Sequence, residues 1–578
     1  MLYRNDKKHI IERKQLILSK PKETKLGYNY LLETPIIFFL TISLIVLTIF
    51  STVLTADFVM WDDDIAIYNN PNLGGLSLDR IYWAFTDVDS TMRYIPLSLL
   101  TWSSIYHFFG LNPFGYHMVN WILHGLSSGV LFLIIRKILL LSPSSIQNNA
   151  CVNPWYINIV ASIATLCWAL HPLRVEPVAW ATDLTYCQAV LFLLLSTLCY
   201  LKAINSESYK KRYLFLIVLA LIFYAISLFS HAIGIIYSAT LFIFDIFLFK
   251  RIGGNIGWWK SQAAKKVILE KIIFTIPAIL IGVIYVIVRV KSAGAWVPPV
   301  PLSAFGILDR LMQAVYIIVY YIYRPFYPVD LSPVYSTLVS FNPLSSPFLL
   351  RAFVFLILSV VIFIFRKRWP IGIALLLSHI ILLIPVMGFF EHPHYHVDRY
   401  SLVSSICLSI LIAFGLIKLT SKFFSIIFVS LLLIVINVLG WLSFNQIKIW
   451  NNSEFLFTHM IETLEEDPYQ QDIYWRLGKY LYEKDKTKKA VMNFEKTFAI
   501  NPYHPIAHSY MAVIEYKKGN LKRVVYHLQN LLISNPDNIK AHYQLSQIFK
   551  KLNKKKEASY HLNRAVQLTG FLKFDNTQ

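Results

Sequence analysis

The chain has 578 residues, 56% of them hydrophobic, and a formal net charge of +21. Its mean hydropathy of +0.52 is above what soluble globular chains carry and excludes an ordinary soluble domain. Basic clusters at the ends of apolar blocks account for the charge, so no nucleic-acid partner is expected.

The first segment, residues 1–33, is charged and contains Arg4, Lys7, Lys8, Arg13 and Lys14. It lacks a short apolar core with a small-residue cleavage site, so it reads as a cytoplasmic N-terminal segment rather than a removable signal. The block Thr34 to Leu54 follows, long enough to cross about 30 Å of hydrocarbon as a helix. Such blocks recur without two-residue alternation, which predicts helices and an all-α polytopic bundle over 34–443. About eleven spans are expected, near 34–55, 113–136, 155–170, 184–202, 213–229, 231–249, 271–290, 349–366, 370–389, 400–418 and 423–443. Tyr94 to Phe109 and Leu308 to Tyr323 are read as interfacial helices, because this keeps every strong basic loop on the cytoplasmic side. The external face then carries the loop 56–112 and the C-terminal region, and the composition leans toward a bacterial inner membrane with a periplasmic tail.

Chemistry-bearing residues gather at that face. Asp62, Asp63 and Asp64 follow the first span directly, and their mutual repulsion and partial desolvation favour a raised pKa, as a general base requires. The alternative is a solvated turn or helix cap. The third span ends in His171-Pro172-Leu173-Arg174-Val175-Glu176-Pro177, and Asp183 begins the next. Arg93, Arg174 and Arg399 lie on the same side against the charge bias, as phosphate ligands or as ion-pair partners of the acids. His392, His394 and His396 alternate in a later loop, where hydrogen-bonding surface outweighs a metal site. His117, Asn120 and His124 share one helical face, which predicts packing toward the bundle interior. The five cysteines have no metal-binding or disulfide spacing.

Beyond the last span, Pro468, Pro502 and Pro536 recur every 34 residues, with Gly570 in register. That is the tetratricopeptide period, and it predicts an α-solenoid of stacked helical hairpins over 452–570. Small and large positions repeat with it, as in Gly478 with Phe494, Ala512 with Leu528 and Ser546 with Leu562. The concave face of such an array suits a peptide or protein partner.

The ordered set of an acidic pair after the first span, Arg93-Tyr94-Ile95-Pro96-Leu97, the His171-Pro172-Leu173 to Ala179 loop, Asp398-Arg399-Tyr400 and C-terminal repeats covers nearly the whole chain. It resembles the transmembrane and tetratricopeptide repeat-containing family of class C glycosyltransferases and is similar, more distantly, to protein O-mannosyltransferases. The resemblance implies an inverting transfer of a mannose-like sugar from a polyprenyl phosphate to a protein hydroxyl on the external face. It implies Asp62 and Asp63 as catalytic carboxylates, Arg93 and Arg399 at the phosphate, Glu176 and Asp183 orienting donor or acceptor, and Tyr400 beside them. No cofactor or metal is required, because arginine can stabilise a single phosphate leaving group. The acceptor polypeptide would lie on the repeats. Ser230-His231 departs from the Ser-Lys more often found in the family, and a neutral His231 weakens phosphate binding there. The rival is a non-enzymatic membrane scaffold that assembles partners through its repeats. A transporter is disfavoured, because the carboxylates cluster at one rim rather than at mid-span.

Overall fold

The computed structural model describes residues 34–87, 93–142, 154–207, 209–253, 257–291, 300–339, 341–389, 392, 394–418, 422–465 and 467–569. The expected cytoplasmic segment 1–33, Cys151, Glu391, Pro393 and Gly570 lie outside them. Among the described residues every regular element is helical. Proline sits in the first turn of the helices Pro35–Phe50, Pro96–Phe109, Pro113–Leu141, Pro370–Leu383 and Pro505–Lys517. Its missing N–H costs nothing there, and its fixed φ starts the helix.

Among the described residues seven helices are long and apolar enough to cross a membrane. Two further candidates are bent: Pro154–Ala169 with Pro172–Ala179 at 64°, and Asp398–Ser404 with Ile406–Lys418 at 48°. Counting each bent pair as one span gives nine, and two shorter apolar helices, Ala232–Phe247 and Pro370–Val386, fall at the other two expected positions. Among the described residues the structure thus supports seven to nine spans, and the expected eleven are reached only if the two short helices also cross. Pro172 explains the first bend, since it donates no hydrogen bond to the preceding turn. The two segments expected to be interfacial form the helices Pro96–Phe109 and Ile307–Tyr323, and neither is among the long candidates.

The bundle closes through small residues. Gly125 and Gly129 of the helix Pro113–Leu141 face the helix Pro35–Phe50 so closely that an added Cβ would meet Leu47 at 2.7 Å and Phe39 at 2.5 Å. Ser43 Oγ donates to the Gly125 carbonyl at 2.9 Å across this contact. Close backbone approach of this kind is how helices gain packing energy in lipid. His117, Asn120 and His124 are buried on the inner face of the same helix, as expected. Asn120 Nδ2 donates to the Trp180 carbonyl at 2.9 Å, and His124 Nε2 lies 3.0 Å from the Ala169 carbonyl. These bonds fix the segment in which the third span turns into the fourth.

After Lys422–Ile449 the chain continues into Ser453–Thr463 and then three helix pairs: Gln470–Glu483 with Thr487–Ile500, Pro505–Lys517 with Leu521–Ser534, and Ile539–Lys551 with Lys555–Thr569. The 34-residue period reappears in the contacts. His508 Nδ1 lies 2.9 Å from His527 Nδ1, and its Nε2 lies 2.8 Å from the Pro502 carbonyl. His542 repeats this arrangement with His561 at 2.8 Å and Pro536 at 2.9 Å.

Candidate active site

The acidic loop starts where the first span ends. Its backbone is tied to the C-terminal region: Asp57 N donates to the Asn451 carbonyl at 2.9 Å, and Met60 N donates to Ser453 Oγ at 2.8 Å. The three aspartates then separate in environment. Asp62 is exposed and has a φ of 70°, in the left-handed region that aspartate tolerates better than most residues. Its carbonyl accepts the N–H groups of Ile65 at 3.1 Å and Ala66 at 2.8 Å, which hold this conformation.

Asp63 points the other way and is fully buried. Its Oδ2 accepts Val59 N at 2.9 Å, and its Oδ1 accepts Thr182 N at 2.9 Å and Thr182 Oγ1 at 2.5 Å. Burial pushes its carboxyl up to about 7, against the lowering effect of these three donors. The side chain clamps the first loop to the turn Ala181–Asp183. Asp64 is also buried, and its Oδ2 receives Lys479 Nζ of the first helix pair at 3.3 Å.

The clamped turn brings the acids of the third and fourth spans against Arg399. The Arg399 backbone N donates to Glu176 Oε2 at 2.9 Å, and its Nη1 forms an ion pair with Glu176 Oε1. Its Nε lies 3.8 Å from Asp183 Oδ2. The guanidinium stands over the rings of Trp180 at 4.9 Å, Tyr186 at 5.6 Å and Tyr400 at 5.6 Å. The sequence left open whether the arginines held phosphate or paired with acids; Arg399 does the latter with Glu176.

Arg93 enters the same cluster from the far end of the acidic loop. Burial lowers its pKa, but Tyr186, Asp62 and Tyr400 raise it against Arg399, and the net direction is up. Those residues are therefore its charged and titratable neighbours. Asp183 likewise has Arg399, Glu176, Arg93 and Asp62 around it. His231 lies on the ring of Tyr186, with centroids 4.0 Å apart. Its Nδ1 accepts the N–H of Ile233 at 3.1 Å. With Nδ1 accepting this bond, the ring carries no proton there and the imidazole is neutral.

All eight residues singled out from the sequence thus meet at one end of the bundle. Arg399 links Glu176, Asp183 and Tyr400, Tyr186 joins Arg399 to His231, Arg93 has Asp62 and Arg399 as charged neighbours, and Asp63 braces the loop. The three loop histidines do not converge. His392 stacks on Phe305, His394 Nε2 lies 3.1 Å from the Val386 carbonyl, and His396 packs between Tyr320 and Tyr335. Among the described residues no group of three or more histidines, cysteines or carboxylates could hold a metal ion. Thr182, Tyr186 and Tyr285, whose hydroxyl accepts Ala232 N at 3.2 Å beside His231, complete the site. Thr182 adjoins Asp183 in sequence; Tyr285 sits in an apolar helix and carries no local signal.

No family model matches the chain. The chain is similar to Protein O-mannosyl-transferase tmtc2 of Xenopus laevis, 30% identical over 220 residues, covering 36% of this chain and 24% of the relative. It is similar to human Protein O-mannosyl-transferase TMTC2, 30% identical over 217 residues, covering 36% and 23%. A longer match, 23% identical over 492 residues, joins 77% of this chain to 53% of human Protein O-mannosyl-transferase TMTC1. The chain therefore spans between about a quarter and about half of the length of these relatives. They are members of the family that the ordered motifs resemble.

Proposed function

We propose, from this similarity and the site geometry, that the chain is a membrane glycosyltransferase that moves a mannose-like sugar from a polyprenyl phosphate to a protein hydroxyl with inversion. In this reading Asp62 accepts the proton of the attacking hydroxyl. The hydroxyl oxygen bonds to C1 of the sugar as the bond from C1 to the phosphate oxygen breaks, and polyprenyl phosphate departs. Arg93 and Arg399 take up the charge that grows on the phosphate, in a site dry enough to make that attraction strong. Glu176 holds Arg399 in place through its backbone N–H and its Nη1. Asp63 serves as a positioning residue, because its oxygens already accept three donors and it has no exposed surface. The neutral His231 offers a hydrogen bond in place of a charge.

The single observation that carries this reading is that Arg93 has both the exposed carboxylate Asp62 and Arg399, from a distant part of the chain, among its charged neighbours. The helix pairs dock beside it through Lys479 and Asp64, which supports a role in presenting the acceptor polypeptide. By the same reading the site and the helix pairs occupy the non-cytoplasmic side of the membrane.

The test is to incubate purified protein with a panel of polyprenyl-phosphate sugars and an acceptor protein, and to detect transfer by mass spectrometry. Asp62→Asn is expected to lower the rate by about 10² to 10⁴ with folding intact. Wild-type rates in that variant would remove Asp62 as the base. A scaffold, by contrast, would show no transfer with any donor.

A further inference from the structure

We propose that the face shared by the first helices of the three helix pairs binds an acidic stretch of polypeptide, seated between the second and third pairs. Those helices are Gln470–Glu483, Pro505–Lys517 and Ile539–Lys551. The 34-residue period puts equivalent residues in rows along them, Tyr482 with Tyr516 and Lys517 with Lys551. The rows interlock. Lys517 Nζ stands 5.1 Å from the centre of the Tyr482 ring, and Lys551 Nζ stands 4.7 Å from that of Tyr516. Both lysines remain exposed. A contact of this kind positions an ammonium group without cancelling its charge.

The local acids are engaged elsewhere. Between 505 and 551 the carboxylates are Glu515 and Asp537. Glu515 accepts from Lys518 Nζ at 2.8 Å and Asn520 Nδ2 at 2.7 Å, and Asp537 pairs with Arg564 at 2.8 Å. From the first pair, Asp485 acts on Lys517. Lys551 meets the Tyr516 hydroxyl rather than a carboxylate. Beside Lys551 opens a cavity of about 310 Å³, walled in part by Val513, Tyr516, Tyr543, Gln544 and Gln547. Val513 and Tyr516 are 39% and 45% exposed, so apolar surface there is open to solvent and fits an apolar side chain. The two glutamine amides each carry donors and an acceptor, which match a peptide backbone better than an acyl chain. The lysines supply the counter-charge for carboxylates on either side. The same face reaches the acidic loop, because Lys479, one turn before Tyr482, meets Asp64. A polypeptide lying along it therefore runs toward Asp62. The inference names the chemical class of the acceptor, and it rests on the proposed glycosyltransferase reading for that role though not for the binding itself.

The test is fluorescence anisotropy on the full chain in detergent, with no sugar donor present. The probe is a fluorescein-labelled peptide of glutamate and serine around one phenylalanine, compared with the same peptide carrying glutamine for glutamate. Wild type is expected to bind the acidic peptide about tenfold more tightly than the neutral one. Lys517→Glu combined with Lys551→Glu should abolish that preference and favour a peptide with lysine in place of glutamate. Gln547→Trp, which fills the cavity and leaves the charges, should weaken the acidic and neutral peptides alike. Equal affinity of wild type for the two peptides, or a preference that survives the charge reversal, would overturn the proposal. Displacement of the probe by an oligouridylate at lower concentration than by the unlabelled acidic peptide would overturn the assignment to a polypeptide. Because binding is read without a donor, transfer without peptide preference removes this inference alone, and peptide preference without transfer removes the glycosyltransferase reading alone.

Discussion

Lys479 Nζ lies 3.3 Å from Asp64 Oδ2, so the first helix pair of the C-terminal region touches the loop that carries Asp62. Arg476, one turn earlier, stands 5.0 Å over the ring of Trp61, and Asp57 and Met60 bond to Asn451 and Ser453. The loop is thus held between the bundle and the helix pairs. Lys479→Ala would leave Asp64 buried with neither oxygen partnered, since Oδ1 already has no hydrogen bond. The expected loss is about 1–3 kcal/mol, read as a lower thermal midpoint and as faster proteolysis of the junction between the bundle and the helix pairs.

Arg399 and Glu176 form a buried pair, so removing one partner is worse than removing both. Arg399→Ala is expected to cost about 3–5 kcal/mol and to reduce the yield of folded protein. Adding Glu176→Gln should restore much of the folding but none of the transfer activity. Recovery of activity in the double variant would show that Arg399 acts only on the fold.

The blocks behind this bundle were legible because an apolar run of span length is a local property, and so was the 34-residue period, which needs only recurring prolines and a small residue facing a large one. The candidate site was legible through the order of its motifs. The different surroundings of Asp62 and Asp63 were not, because they depend on Val59 turning back and on Thr182, 119 residues away, supplying two donors. The bends at Pro172 and Ser405 escaped the span count, since each half of a broken helix is apolar enough to read as continuous. The amphipathic helix Leu78–Thr86 was also missed, although Ser77 caps it by accepting Arg80 N at 3.3 Å.

The pH dependence of stability should carry a contribution from Asp63. Its folded pKa, about 7, is raised above the ordinary 3.8 by burial. Between those values the folded state holds a proton that the unfolded chain has lost. Stability from this group is therefore fully present below 3.8 and is lost as pH rises toward about 7, with no further change above that. Thermal midpoints measured across this range should fall with rising pH in wild type, and Asp63→Asn should make that slope shallower.

Gly478 reports on the packing within the first helix pair. A Cβ there would come within 2.6 Å of the Phe494 ring. Gly478→Val is expected to cost about 1–3 kcal/mol through overpacking, and Gly478→Ala less, because a single methyl group displaces the ring less than an isopropyl group does. Thermal unfolding followed by circular dichroism on the full chain should rank wild type, Ala and Val in that order.

The account rests on the acidic loop, its arginines and the helix pairs working together on the non-cytoplasmic face. Single cysteines at Ile65, 61% exposed, and Ile500, 38% exposed, would be probed in intact cells with a membrane-impermeant maleimide, alongside one at Lys211 in a basic loop. The account predicts that Ile65→Cys and Ile500→Cys react from outside and that Lys211→Cys reacts only after permeabilisation. Reaction of Lys211→Cys from outside, with Ile65→Cys and Ile500→Cys protected until the membrane is opened, would contradict it.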